Sequence, residues 1–283
     1  MAIHIGCGSW TDDAYAGLLY AKGWPKAERL AAYAQWFDRI EINSFTHAIP
    51  PLRNVAKWVE QTPAGFIFDV KLPPQFSENP SAAAQGEMHG VLLRAVQPIV
   101  AAKKLGTFLL TLPPSFSPDI RRLDEITALV EKLRPHLLAV ELRNRAWVET
   151  ERRAATLDYF AAQQIAWVAV DMFQAAEARR LMPAVDVVTD PRLAYMRLHG
   201  RNPAYARVGS TKEGHHHDYT DVELKEIAGR VKALAELAKN VHVTFNNHAE
   251  DFAPKAAIAL KRLLGQPVLG APPEKGGTQL ELM

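Results

Sequence analysis

A single cysteine, Cys7, stands in 283 residues. No disulfide can close within the chain, and a structural zinc site built on several thiolates is excluded. Charge of one sign is scarce too, since 33 Lys and Arg against 31 Asp and Glu leave a net +2. So small an excess builds no strong basic field, and nucleic acid is not expected as a partner. No apolar run reaches the roughly 18 residues that span a bilayer, so no membrane association is expected. Met1–Gly8 lacks the basic start and apolar stretch of a secretory signal, and a cytoplasmic location is expected. Linker-like shifts in composition are missing as well. What is present is ordinary globular matter, 48% hydrophobic and 23% charged, enough to offset the entropy of ordering a chain.

Eight short apolar runs bounded by turn residues read as buried parallel strands. They are Ile3–Gly8, Arg39–Asn43, Phe66–Lys71, Thr107–Leu112, Leu137–Arg143, Ile165–Asp171, Ala194–His199 and Val241–Asn246. Helical patterns separate most of them. Pro25–Phe37 carries Leu30, Tyr33, Ala34 and Phe37 on one face, and Glu87–Lys104 carries Val91, Ala95 and Ile99. Pro98 should kink or split the latter. Ser117-Pro118-Asp119 reads as an N-cap followed by proline at the first helical position. Thr220 with Glu223 reads as a capping box for a helix reaching Asn240. Pro254–Leu264 is a last helix, and Gln174–Leu181 a short helix in the least clear connection.

Strands alternating with helices in one chain of this length predict an α/β fold, a single-domain (β/α)8 TIM-like barrel over residues 1–265. A doubly wound sheet would carry a third glycine after Gly6-Cys7-Gly8 at the phosphate-binding spacing, and it does not. The Gly- and Pro-rich stretch 266–283 reads as a loose tail.

Such a barrel places its site at the carboxyl ends of the strands. Residues two apart share one side of a strand. Glu41 with Asn43, Asp69 with Lys71, Glu141 with Arg143, and Arg197 with His199 therefore point together, and charges inside apolar strands imply a shared polar pocket. An inner layer of Glu41, Glu141 and Arg197 reads as largely structural. An outer layer of Asn43, Lys71, Arg143, His199 and Asn246 reads as ligand-contacting. Trp10 and Trp147 follow strand ends and could wall a substrate. Asp171 ends its strand alone. His215-His216-His217 reads as a solvated loop, because adjacent histidines cannot readily converge on one ion. Cys7 reads as packing before it reads as a nucleophile.

These strand-end motifs resemble the DUF72 family, also called YecE-like proteins. The matching pieces are Ile5–Trp10, Glu41–Ser44, Phe68–Lys71, Leu112–Phe116, Val140–Arg143, Met196–Arg201 and Phe245–Asn247. They follow the family's order over nearly the whole chain. The resemblance implies a TIM-like barrel and no particular activity, since the family is named for its unknown function. The chain departs from the family's pattern at Phe45-Thr46-His47 and at Asn144, so roles of the family's tyrosine or histidine there do not transfer.

Three functions compete. The leading one is an enzyme acting on a small polar or anionic molecule, without cofactor or metal. Glu41, Glu141 and His199 would serve as acid and base. Trp10, Asn43, Lys71, Arg143, Arg197 and Asn246 would bind the substrate, with Arg143 suited to bidentate contact. The second is an isomerase- or nuclease-like enzyme with a divalent metal on Glu41, Glu141, Asp171 and His199. The third is a binding or regulatory protein that retains the pocket.

Overall fold

The computed structural model describes residues 1–46, 48–175 and 178–270. All eight expected strands form, each within one to two residues of its predicted ends: β1 (Ala2–Cys7), β2 (Arg39–Ile42), β3 (Ile67–Lys71), β4 (Leu105–Leu112), β5 (Leu138–Leu142), β6 (Ala166–Met172), β7 (Leu193–Gly200) and β8 (Asn240–Phe245). Every pairing is parallel, and the sheet runs β1-β8-β7-β6-β5-β4-β3-β2. With helices in every connection except, among the described residues, that from β6 to β7, this is a single-domain, nearly closed (β/α)8 TIM-like barrel.

Among the described residues the ladder does not pass from β1 to β2, and side chains bridge that seam instead. The Tyr33 hydroxyl accepts from the Cys7 amide at 2.7 Å and donates to the Arg39 carbonyl at 2.9 Å. Nearer the mouth, Asn43 Nδ2 donates to the Gly8 carbonyl at 2.7 Å. A Cβ on Gly6 would meet the Arg39 carbonyl oxygen at 2.1 Å, so only glycine allows the two strands to approach.

The apolar core lies between the sheet and the helices. Ile40, Ile42, Phe68, Val70, Val140, Met196, Leu198, Val243 and Phe245 are all buried. Most of their neighbours one residue away are polar and turn inward, Arg39, Glu41, Asp69, Glu141 and Arg197 among them, so charges occupy the barrel where branched aliphatic layers are usual. At the lower level Arg39, fully buried, binds Asp69 Oδ2 at 2.5 Å, the Val243 carbonyl and Thr244. His242 Nδ1 lies 2.9 Å from the same Asp69 carboxylate. The Arg39 guanidinium and His242 outweigh the effect of burial and draw the Asp69 carboxyl down to about 2.

The helices differ from expectation in detail. The Pro25–Phe37 pattern yields a 3-10 turn, Lys26–Glu28, and one short helix, Arg29–Tyr33, because i→i+3 bonds tighten the chain after Tyr33. Met88–Ala101 runs unbroken through Pro98. The proline sits in its last turn, and the face packed on the barrel is Leu92, Ala95, Val96 and Ile99, leaving Val91 exposed. Ser117 heads a single turn rather than a helix. The following helix, Thr127–Leu133, is led in by a 3-10 turn at Leu123–Ile126, where Glu125 accepts the Arg122 amide. No helix forms over the described part of Gln174–Leu181. The Thr220–Glu223 capping box is present, and its helix spans Asp221–Leu237, short of Asn240. The last helix is Phe252–Leu263. Of the tail, Gln266 Nε2 donates to the Ile3 carbonyl at 2.7 Å, and residues 271–283 lie outside the described residues, as does His47. Among the described residues, no helix is long and apolar enough to cross a membrane.

Candidate functional site

A cavity of about 760 Å³ opens at the carboxyl ends of the strands, within the range of small-molecule sites. Its wall comes from segments following β1, β2, β5, β7 and β8, together with the end of β3. Of the expected binding residues, Trp10, Asn43, Lys71, Arg143 and Asn246 line it. Trp10 meets Trp58 edge to face at 5.3 Å between centroids. Trp147 does not reach this cavity: it stacks on Phe116 and donates Nε1 to the Phe116 carbonyl at 2.7 Å.

Glu41, Glu141, Arg197 and His199 lie directly beneath the floor, at most 1% exposed. Arg197 joins the two carboxylates. Its Nε and Nη2 donate to Glu41 at 3.0 and 2.7 Å, and its Nη1 donates to Glu141 Oε2. Arg143 Nε donates to Glu141 Oε1 at 2.6 Å. Tyr195 connects this level to the lower one, donating to Glu41 Oε2 at 2.8 Å and accepting from Arg39 Nη2. Burial alone would raise both glutamates. The Arg197 guanidinium prevails at Glu41, and Arg143 with Arg197 prevails at Glu141, holding it well below the usual carboxylate range. Both carboxylates are therefore ionised at neutral pH, with their oxygens committed to guanidinium groups.

Above this layer the balance changes sign. Lys26, Lys71, Arg143 and Lys212 line the cavity against one carboxylate, Asp12. Arg143 makes one side-chain hydrogen bond among the described residues, through Nε, which leaves both Nη groups unbound. Lys71 makes no hydrogen bond and no ion pair among the described residues. Burial first, then Arg197 and Arg143, pull its ammonium down to about 8.

His199 does not line the cavity. Asn246 Nδ2 lies 3.1 Å from His199 Nδ1, and His248 Nε2 lies 2.6 Å from Asn246 Oδ1. With the amide donating to Nδ1, the proton of neutral His199 is on Nε2, 3.3 Å from Glu141 Oε1 and outside hydrogen-bond geometry. Burial lowers His199 despite that carboxylate.

The solvated-loop reading of the histidine run fails for His215. It is buried, its ring centroid 5.6 Å from that of His199, and it lines the cavity. Its Nδ1 donates to the His199 carbonyl at 3.0 Å, and Ser210 Oγ lies 2.9 Å from its Nε2. Burial and the neighbouring His199 draw it down to about 3. With Nδ1 donating to that carbonyl, Nε2 is the acceptor for the Ser210 hydroxyl. His216 and His217 turn away toward Glu250 and Glu223. Asp171 faces the barrel's exterior, held by Arg201, Arg230 and Tyr219. Cys7 is fully buried, and burial pushes its thiol up, which leaves it as packing. Among the described residues, no three His, Cys, Asp or Glu side chains are grouped to hold a metal ion.

Sequence reasoning did not identify His215, His248, Ser210, Lys26 or Lys212 as part of the cavity wall. They sit on connections with no strand periodicity to mark them. It also missed Arg39, Tyr195 and His242. A signal for these existed, since each lies two residues before Glu41, Arg197 and Thr244.

The architecture and motifs agree with what known proteins show. UPF0759 protein YunF of Bacillus subtilis (strain 168) is 27% identical over 257 residues, covering 87% of this chain and 89% of that one. The fold matches the crystal structure of a DUF72 family protein from Enterococcus faecalis V583, with TM-score 0.80 and 24% identity over 94% of this chain and 98% of that one. A DUF72 family protein from Thermotoga maritima MSB8 matches with TM-score 0.82 and 24% identity, over 94% of this chain and all of that one. The family described as "Protein of unknown function DUF72" matches residues 4–278. With that match running the length of the barrel and its strand-end motifs, the chain belongs to the DUF72 family.

Proposed function

We propose that the protein is an enzyme that binds a small anionic molecule at the carboxyl-end cavity and acts on it by acid–base chemistry. The observation that carries this reading is that Lys71 and Arg143 share one cavity wall and that, among the described residues, Lys71 has no partner and the Arg143 Nη groups are unbound. A phosphate or carboxylate would take a forked contact from Arg143 and a point charge from Lys71. Trp10, Asn43 and Asn246 shape the wall around it.

Lys71 is the wall group able to exchange a proton near neutral pH. Glu41, Glu141, Arg197 and His199 are positioning residues in this reading. Glu141 orients Arg143, and His199 orients Asn246. The metal-dependent alternative is less favoured, because the oxygens of Glu41 and Glu141 are bound to arginines and Asp171 faces outward.

The test is calorimetry and thermal shift with phosphate, sulfate and small carboxylates. Millimolar anion should stabilise the wild type and lose most of that effect in Lys71→Met and Arg143→Lys. Equal stabilisation of all three proteins, or of none, overturns the reading.

A further inference from the structure

Lys71 is placed unlike any other cation of the cavity. It ends β3 and lines the cavity, near enough to Arg197, Arg143, Glu41 and Glu141 for all four charges to act on it. Lysines in such places are ordinarily held as ammonium by a carboxylate. Here both nearby carboxylates are already bound by Arg197 and Arg143. Among the described residues the amine has no carboxylate of its own, Arg197 and Arg143 disfavour its charge more than Glu41 and Glu141 favour it, and it reaches the cavity. An amine desolvated beside other cations is the arrangement that makes a lysine nucleophilic.

We propose that Lys71 forms an imine with the carbonyl carbon of a substrate that also carries a carboxylate or phosphate. This deepens the anion-site reading and rests on it. Arg143 would hold the anionic end and bring the carbonyl to Nζ. The amine lone pair forms the C–N bond as the C=O π pair moves to oxygen. Both hydrogens of the neutral amine leave with that oxygen as water, giving C=N. The imine then takes a proton from solvent, and the cationic carbon–nitrogen bond draws electrons from the neighbouring carbon. No oxidant or reductant takes part.

The buried environment supplies the neutral amine this step needs, since burial and the adjacent guanidinium groups bring Lys71 to about 8. The other cavity lysines lack that environment: Lys212 is exposed, and Lys26 is 68% exposed and 3.6 Å from Asp13.

The experiment is reductive trapping. The protein is incubated with pyruvate, glyoxylate or glycolaldehyde phosphate, cyanoborohydride is added, and adducts are located by intact mass and peptide mapping. The expected result is one adduct per chain with at least one probe, mapping to Lys71, suppressed by excess phosphate and absent from Lys71→Arg. Mapping within the wild type keeps the test valid even if the variant folds poorly. An adduct spread over surface lysines, or none with any probe, overturns the imine. The two readings separate cleanly. If phosphate stabilises the wild type through Lys71 and Arg143 but nothing is trapped, the imine fails and the anion site stands. If phosphate has no effect either, both fail.

Discussion

The Tyr33 hydroxyl donates to the Arg39 carbonyl across the gap between β1 and β2, at 2.9 Å. The same oxygen accepts the Cys7 amide. One side-chain atom thus does at the seam what backbone groups do between every other pair of neighbouring strands. Tyr33→Phe would leave a buried amide and a buried carbonyl unpaired, at a cost of about 1–3 kcal/mol each. Chemical denaturation should show that loss. Gly6→Ala, which drives a methyl into the Arg39 carbonyl, should be at least as damaging. Wild-type stability in both variants would mean the seam contributes nothing.

The lower charged level yields a second prediction. Arg39 and Asp69 are both wholly buried. Removing one partner strands the other, which typically costs 3–5 kcal/mol. Arg39→Met and Asp69→Asn should each lower the melting temperature by several degrees. The double variant should be less unstable than the sum of the two, because neither charge is then left alone.

Lys71 sets a pH window. Its folded value, about 8, lies below its ordinary 10.5. Between these the unfolded chain holds a proton the folded one has released, so this group adds stability as pH rises from 8 to 10.5. Lys71→Met should flatten that part of the stability profile. Phosphate affinity should fall above pH 8 in the wild type as the ammonium is lost, and titration calorimetry across pH 7–9 reads this directly.

The buried histidines act at the acid end. Burial brings His248 to about 4 and His215 to about 3, against an ordinary 6.5. Their contribution is complete above pH 6.5 and is lost as pH falls, to about 4 for His248 and about 3 for His215, because the unfolded chain takes up protons first. Acid unfolding of His215→Asn and His248→Asn should be less steep than that of the wild type. An unchanged slope would remove these residues from the account.

Arg143→Lys keeps the charge and loses the fork. Phosphate binding should weaken by on the order of 1–3 kcal/mol, the worth of a charged hydrogen bond. Calorimetry on the folded variant checks it.

The strands and the polar side of each were legible because a buried parallel strand is short, apolar and sharply bounded. The two-residue period carried Glu41, Lys71, Glu141 and Arg143 to one end of the barrel. Continued one step toward the strand starts, it would have exposed the lower level through Arg39 and Tyr195. The helices were less legible. Ser117-Pro118 has the chemistry of a cap, yet Glu125 engages the Arg122 amide and the helix begins later. Val91 fits the helical spacing, but the barrel contacts the face through Leu92. His215 could not be placed from sequence, since its position depends on a contact with the His199 carbonyl, sixteen residues away. Depth followed from the same period, with Glu141 buried two residues below the cavity-lining Arg143; His199 is the exception, expected in the outer layer but wholly buried.

Asn43 has two duties, clasping the seam through Gly8 and lining the cavity. A substitution there that altered ligand preference would at the same time loosen the ring. Specificity at this position cannot drift independently of fold integrity. Lys26 and Lys212 lie on surface connections with no such duty. Divergence among relatives should therefore collect at the rim and spare the clasp, so that new ligands are acquired from the outer edge of the mouth inward.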